Sequence, residues 1–338
     1  MKDSIDIQET SLLRQGHQRE RGELLNILLK NRSGRGNIIW ATDSYKDEEP
    51  RSKYKSEKPI LPELVTGDRN QLIQPRAVKS KEEQKRRTKD KAEVFTPLDI
   101  VGEMNKSIDW AVGTAPVTAE NWQEYVCQLK LEITCGEAPF ITSRYDPTKS
   151  RDEPIVLYDK KGKPKRVGFL DRKLYAIDKF CDKNNWLEWA TKALQSSYGY
   201  EWQGDNLLIA RENVLYTMFD FYQHKFKTTD LPPWEMRKEF ANIISWNLWQ
   251  MDGLKNIIPM SQHGGTKPPN SIKPKEPQIE LGFLKNIEPD TSMQTEIFVC
   301  ERCEKEGDEH HDGRYAYIKD WTRGGKNGRR VRFADLLG

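Results

Sequence analysis

Three apolar, strand-like runs in this chain end on residues that could meet a ligand. Residues 129–134 alternate with β-branched side chains and run into Cys135-Gly136-Glu137-Ala138. Residues 197–201 form a second short strand with Glu201 at its end. A third apolar segment, Ile243-Ile244-Ser245-Trp246, leads toward Asp252-Gly253. A glycine in the first strand-to-helix turn lets backbone approach a bound molecule closely. An acid at the end of the second strand can accept two hydrogen bonds from a ribose diol. A third acid can accept from an adenine amino group. Each feature alone is more often structural. Their order along the chain describes a site for one adenosine-sized ligand.

A second group, Cys300-x-x-Cys303 followed by His310-His311, has metal-site character. A tetrahedral zinc site takes four nitrogen or sulfur ligands, and the cysteine spacing suits it. The short gap to two adjacent histidines does not, because neighbours on a strand point to opposite faces. An exposed loop is the competing reading. Cys127 and Cys181 read as small core residues.

The elements that must position these residues follow from periodicity. Residues 99–112, 169–180, 186–197 and 205–222 have helical spacing, with Asp205 as a candidate N-cap. Residues 37–41 read as a short strand bounded by turn residues. The run from Lys79 to Lys91 is dense in both charges, so it reads as a solvated helix face or a phosphate-contacting element. Strands alternating with helices predict an open α/β sheet, with ligands at the carboxyl ends of the strands.

Composition bounds the rest. The chain has 338 residues, a length that suits about two domains. Hydrophobic residues make up 36% and charged residues 32%, so a globular part plus solvated extension is expected. No apolar run approaches the ~20 residues of a membrane span, and the N-terminus lacks a signal core. Five cysteines do not make a disulfide scaffold, which points to a reducing, cytoplasmic setting. With 55 basic against 52 acidic residues, the net charge of +3 neither demands nor excludes nucleic acid.

With these motifs in place, the chain resembles a family. Ala92-Glu93-Val94-Phe95-Thr96-Pro97 ahead of a helix is similar to the N-terminal cofactor motif of amino-group (adenine-N6) DNA methyltransferases of restriction-modification systems. The segment from Leu131 to Phe140, containing Glu132-Ile133-Thr134-Cys135-Gly136, resembles their principal S-adenosylmethionine loop. Tyr198-Gly199-Tyr200-Glu201 followed by Gly204-Asp205-Asn206 resembles the second-strand motif, and 242–253 the third. The likeness spans about residues 90–255.

The resemblance implies a Rossmann-like methyltransferase sheet and S-adenosylmethionine as cofactor. Phe95, Thr96 and Pro97 would line its methionine end. Glu132 and the Cys135-Gly136 backbone would hold its amino-acid part. Glu201 would take the ribose hydroxyls, with Trp202 near the adenine, and Asp252 would accept from the adenine amine. One departure is Ala138, where the family loop carries a second glycine.

Transfer to adenine N6 also needs an Asp/Asn-Pro-Pro-aromatic tetrapeptide, whose acceptors meet the amine and whose ring stacks on an extruded base. Leu231-Pro232-Pro233-Trp234 lacks the acceptor, and Lys267-Pro268-Pro269-Asn270 lacks both acceptor and aromatic. Both read as loop punctuation. The expected organisation is therefore a basic, helical N-terminal extension over 1–90, a cofactor domain over 91–260, and an irregular linker with a small Cys/His segment over 261–338. The sheet is expected to be incomplete at its C-terminal side. The expected function is a DNA methyltransferase subunit or truncated N-terminal fragment, with DNA and a second chain carrying the tetrapeptide as partners. Competing readings are a non-catalytic DNA-binding or regulatory subunit with the cofactor as effector, and a metal-stabilised interaction module.

Overall fold

The computed structural model describes residues 18–149, 166–261 and 313–337. Among these are eight α-helices, a three-stranded parallel sheet and a two-stranded antiparallel hairpin, so the chain is α/β. The helices are α1 (Gln18–Leu29), α2 (Lys81–Lys91), α3 (Leu98–Ala111), α4 (Trp122–Cys127), α5 (Phe169–Phe180), α6 (Trp186–Gln195), α7 (Gly204–Phe226) and α8 (Trp234–Asn247). The strands are β1 (Lys130–Glu132), β2 (Ser197–Glu201), β3 (Leu248–Gln250), β4 (Tyr317–Asp320) and β5 (Arg329–Arg332). Among the described residues, 18–149, 166–260 and 315–337 belong to one compact unit.

The parallel strands lie side by side in chain order, with Leu131 opposite Tyr198 and Tyr200 opposite Trp249. Parallel strands are joined by crossovers, and helices fill that role here. One face of the sheet meets a large core that contains Leu174, Leu194, Leu207 and Ile244. Pleating sends Tyr198, Tyr200 and Trp249 the other way, into a second apolar cluster with Ala316, Ile318 and Phe333 of the hairpin region. That cover stops short of β1. Leu131 on β1 remains 40% exposed, an unusual state for an apolar residue on a parallel strand, and its flanking neighbours Leu129 and Ile133 are 56% and 64% exposed.

Leu24, Leu28, Ile38, Trp40 and Ile60 share the large core with residues of α5 to α8. Residues 37–41 form isolated bridges, not the expected regular strand, because a side chain stands in for the neighbouring backbone. Gln250 Oε1 accepts the Ile39 N–H at 2.9 Å, and its Nε2 donates to the Ile39 carbonyl at 2.8 Å.

Two further expectations are corrected. The segment Ile243-Ile244-Ser245-Trp246 lies inside α8, and the strand begins at Leu248. Phe240, Ile243, Ile244 and Asn247, all buried, have the i, i+3, i+4, i+7 spacing of a helix face. Asp205 is not the N-cap of α7. Gln203 holds that position without a side-chain cap, and the Asp205 carboxylate is used elsewhere. Cys127 is exposed at the end of α4, whereas Cys181 is buried as expected.

Candidate functional site

The site is built from the turns that follow the parallel strands. After β1 the chain makes a compact turn in which Thr134, Gly136 and Ala138 all have positive φ. Gly136, at φ +53°, needs its hydrogen side chain for a second reason. A Cβ there would lie 2.7 Å from the Phe95 ring. Phe95 therefore rests against the Gly136 backbone. The Gly136 N–H donates to the Glu201 carboxylate at 2.8 Å, and the Gln203 N–H donates to its other oxygen at 3.0 Å. Phe95, Gly136 and Glu201 are thus joined by direct contact. Glu201 O accepts the N–H of Met251, the residue before Asp252, at 3.1 Å.

The other expected site residues fall into two groups. Thr96 and Trp202 are half-buried beside this turn region, and Pro97 is exposed at the N-cap position of α3. The Trp202 indole donates to the Ala41 carbonyl at 2.9 Å, so its nitrogen is already occupied. Asp252 uses one oxygen to accept the Leu254 and Lys255 amides at 2.9 and 3.2 Å, a turn-closing role that leaves its second oxygen over. Glu132 faces inward. Its two oxygens accept the Phe140 and Ile141 amides at 3.2 and 3.0 Å, so it braces the loop from within. Cys135 is buried against Gly199.

Burial dominates the electrostatics. It pushes the Glu201 carboxyl from 4.5 up to about 7, against the pull of the Gln203 and Gly136 amides. Burial likewise raises Glu132 and the Cys135 thiol. A carboxyl whose folded pKa is raised stabilises the fold fully below its unfolded pKa, and that contribution is lost as pH rises through the folded value. Thermal stability is therefore expected to fall as pH rises from about 4.5 to about 7, with Glu201 supplying one released proton. A pH series of melting temperatures should flatten over that window in Glu201→Gln. An unchanged slope would remove Glu201 as its source.

Ala138 has φ +64° while fully buried. The backbone thus keeps a glycine-like conformation with an alanine in it, which costs about 1 kcal/mol. Ala138→Gly is expected to recover part of that cost. A melting curve in which the glycine variant is less stable would contradict the strain.

A buried ionic network beneath Phe95 was not anticipated from sequence. Glu93 accepts from Arg76 Nη1 at 3.0 Å through one oxygen and from Arg87 Nε at 2.7 Å through the other. Arg87 Nη2 also donates to Asp205 at 2.8 Å, as does the Tyr45 hydroxyl at 2.8 Å. The Arg76 guanidinium lies 5.5 Å from the Phe95 ring centre, and the Arg76 N–H donates to Glu137 at 2.7 Å. Burial works to raise the Asp205 pKa, but Arg87 holds it below the ordinary value. The only sequence signal was the position of Glu93 two residues before Phe95. The expected solvated face of α2 holds for Lys81, Glu82, Lys85 and Lys89, while Arg87 is 3% exposed.

Leu231, Pro232 and Pro233 do serve as punctuation. Pro233 precedes α8, and Trp234 is its first residue. Lys267-Pro268-Pro269-Asn270 and the candidate zinc ligands Cys300, Cys303, His310 and His311 lie outside the described residues. Among the described residues no cluster of metal-ligating side chains is present. A surface hollow of about 900 Å³, lined in part by Asp178, Lys183, His224 and Lys227, opens at the C-terminal end of α7. A 23-residue helix is about 34 Å long, so this hollow is remote from the strand ends. Among the described residues, no helix is long and apolar enough to cross a membrane. Comparison with protein-family models, curated proteins and solved structures found no match to this chain.

Proposed function

We propose that this chain is the S-adenosylmethionine-binding subunit, or N-terminal part, of a DNA adenine-N6 methyltransferase of the restriction-modification type, built on a Rossmann-like sheet. The observation that carries the reading is the contact set Phe95–Gly136–Glu201 at the carboxyl ends of two adjacent parallel strands. It joins an aromatic ring, a turn whose backbone can approach a ligand, and a buried acid, as a nucleoside site requires. When bound, the cofactor supplies an electrophilic methyl group on a sulfonium.

The residues fit most of that group. Glu201 keeps a lone pair on each oxygen for ribose hydroxyls after taking its two amides. Asp252 has one oxygen left for an adenine amine. Phe95, with Thr96 and Pro97, offers the apolar wall at the methionine end. The Cys135-Gly136 backbone holds the amino-acid end, and Glu132 acts through the loop it braces. The buried Arg76–Glu93–Arg87–Asp205 network holds Phe95 against Gly136.

Adenine transfer also needs the Asp/Asn-Pro-Pro-aromatic tetrapeptide, and this sequence has none. A further polypeptide segment supplies it in this reading. The position of β1 supports that arrangement, because it is the edge strand of the sheet and has exposed Leu131 and Ile133 beside it for an added segment to cover. The same missing tetrapeptide favours a second reading, a non-catalytic DNA-binding or regulatory subunit that uses the cofactor as effector.

Calorimetric titration of S-adenosylmethionine into the wild type and Glu201→Ala tests the site. Hydrogen bonds to a charged acceptor contribute about 1.5–3 kcal/mol, so affinity should fall roughly 10- to 100-fold in the variant. A hydroxyl donating to Glu201 favours the ionised carboxylate. Binding should therefore tighten as pH rises through about 7. Equal affinity in the two proteins would take Glu201 out of the role, and no binding by the wild type would sink the reading.

A further inference from the structure

The outer face of the β4–β5 hairpin carries cations and aromatic rings in alternation. Register places Tyr317 opposite Arg332 and Lys319 opposite Arg330, all on the face turned away from buried Ile318. Lys319 Nζ lies 5.1 Å from the Trp246 ring centre and 4.9 Å from that of Trp321. The Arg330 guanidinium stacks 4.0 Å over Tyr317. Arg32 joins from the turn after α1, 5.3 Å from the Trp246 ring centre, where Ser245 and Asn242 fix its guanidinium at 2.8 and 2.7 Å. That turn is tied to β4, because Ser33 Oγ accepts the Tyr317 N–H at 2.8 Å.

Among the described residues, no carboxylate pairs with Arg32, Lys319 or Arg330. Like charges directly opposite on a hairpin oppose its folding. A pair such as Lys319 and Arg330 therefore has no structural benefit in itself. Residues 315–337 hold six cations against two carboxylates, a larger excess than the whole chain's +3. Stacking on indole and phenol rings holds the cationic heads in place.

We propose that this face, formed by Arg32, Lys319 and Arg330 on Trp246, Trp321 and Tyr317, binds the phosphodiester backbone of DNA. The choice of DNA rests on the methyltransferase reading, while the phosphate chemistry does not. Backbone contacts of this kind set the position of a duplex without reading its sequence. Each phosphate neutralised releases condensed counterions, so its mark is a salt dependence.

The test is fluorescence anisotropy of a short labelled duplex over a salt series, with the full chain. Removing two phosphate contacts in Lys319→Gln/Arg330→Gln should reduce the slope of log affinity against log salt by about 1.8. The charge-keeping swap Lys319→Arg/Arg330→Lys should retain the wild-type slope, which separates lost contacts from lost fold. Lys81→Gln/Lys85→Gln on exposed α2 removes equally many cations and should change the slope by less than half as much. An unchanged slope in the hairpin variant, or an equal loss in the α2 variant, would overturn the assignment. So would wild-type binding to phosphatidylserine–phosphatidylcholine vesicles that matches DNA binding and is lost with it. Cofactor titration of the same proteins keeps the two readings apart. A wild type that binds DNA through the hairpin but takes no S-adenosylmethionine leaves this surface standing and removes the methyltransferase reading.

Discussion

Glu93→Ala is expected to destabilise the protein by about 3–5 kcal/mol, the usual range when one partner of a buried ion pair is removed. The glutamate is 5% exposed and is the shared acceptor of two guanidiniums, at 3.0 and 2.7 Å, with the Asn206 amide 3.3 Å away. Alanine would leave Arg76 and Arg87 with a carboxylate fewer between them in a space closed to water. Asp205 would keep only one of those two charges compensated. An exposed pair sets the scale by contrast. Glu103, which pairs with Lys106 in solvent, should change stability by less than about 1 kcal/mol when replaced by alanine. Urea midpoints for the two variants provide the comparison. A Glu93 effect as small as that of Glu103 would show that the network is not closed to water. The network also has a pH signature of opposite sign to that of Glu201. Asp205 has a depressed folded pKa, so its stabilisation is present above the ordinary carboxylate pKa and is lost as pH falls. The variant should therefore also alter the acid limb of the stability curve, since Arg87 serves both acids.

Gly204→Ala should be at least as damaging as any glycine change around the candidate site, at roughly 3 kcal/mol, the upper end of overpacking. A Cβ on Gly204 would sit 2.0 Å from the Ile39 carbonyl oxygen, and that atom is backbone. It cannot turn aside, because the Gln250 side-chain amide holds it at 2.8 Å and the Gly204 N–H itself bonds to the next carbonyl, Trp40, at 3.1 Å. The start of α7 would have to move, taking with it Glu201 and Asp205. Gly136→Ala meets an aromatic ring instead, 2.7 Å away, which can shift at less cost, although the positive φ adds strain. The two variants should therefore separate by function. Gly204→Ala is expected to lower the melting temperature more. On the proposed function, Gly136→Ala, by displacing Phe95, should weaken S-adenosylmethionine binding out of proportion to its stability loss. If melting temperatures rank the other way, the segment around Ile39 is free to yield, and its close packing on α7 is not a constraint.

Both predictions concern groups that local pattern could only partly reveal. Glu93 lies in the short segment that carries Phe95, and Gly204 in the one that carries Glu201. What each touches comes from far along the chain. Arg87 and Asp205 are 118 residues apart, and Ile39 and Gln250 are 211 apart. The cationic face of the hairpin is similar. The sequence shows clustered arginines near the C-terminus, but Trp246 and Arg32 join them only through α8 and the turn after α1. The candidate site was more legible, because its parts sit at strand ends. Residues 197–201 and 169–180 match β2 and α5 in full, and residues 129–134 contain β1. The third strand is not legible in the sequence, because the apolar residues before it have helical spacing and the strand itself is only three residues long.

Sequence alone determined the elements whose signal is periodic within a dozen residues, and the order of acid and glycine at the ends of the first two strands. Spacing along one helix or strand is a local property of the backbone, so it can be read without the fold. Tertiary structure decided which charges are buried, that Glu132 turns inward while Glu201 meets Gly136, and which aromatic rings stand beside Lys319. Those outcomes depend on desolvation and on partners brought from distant segments, and neither is written in the neighbouring residues.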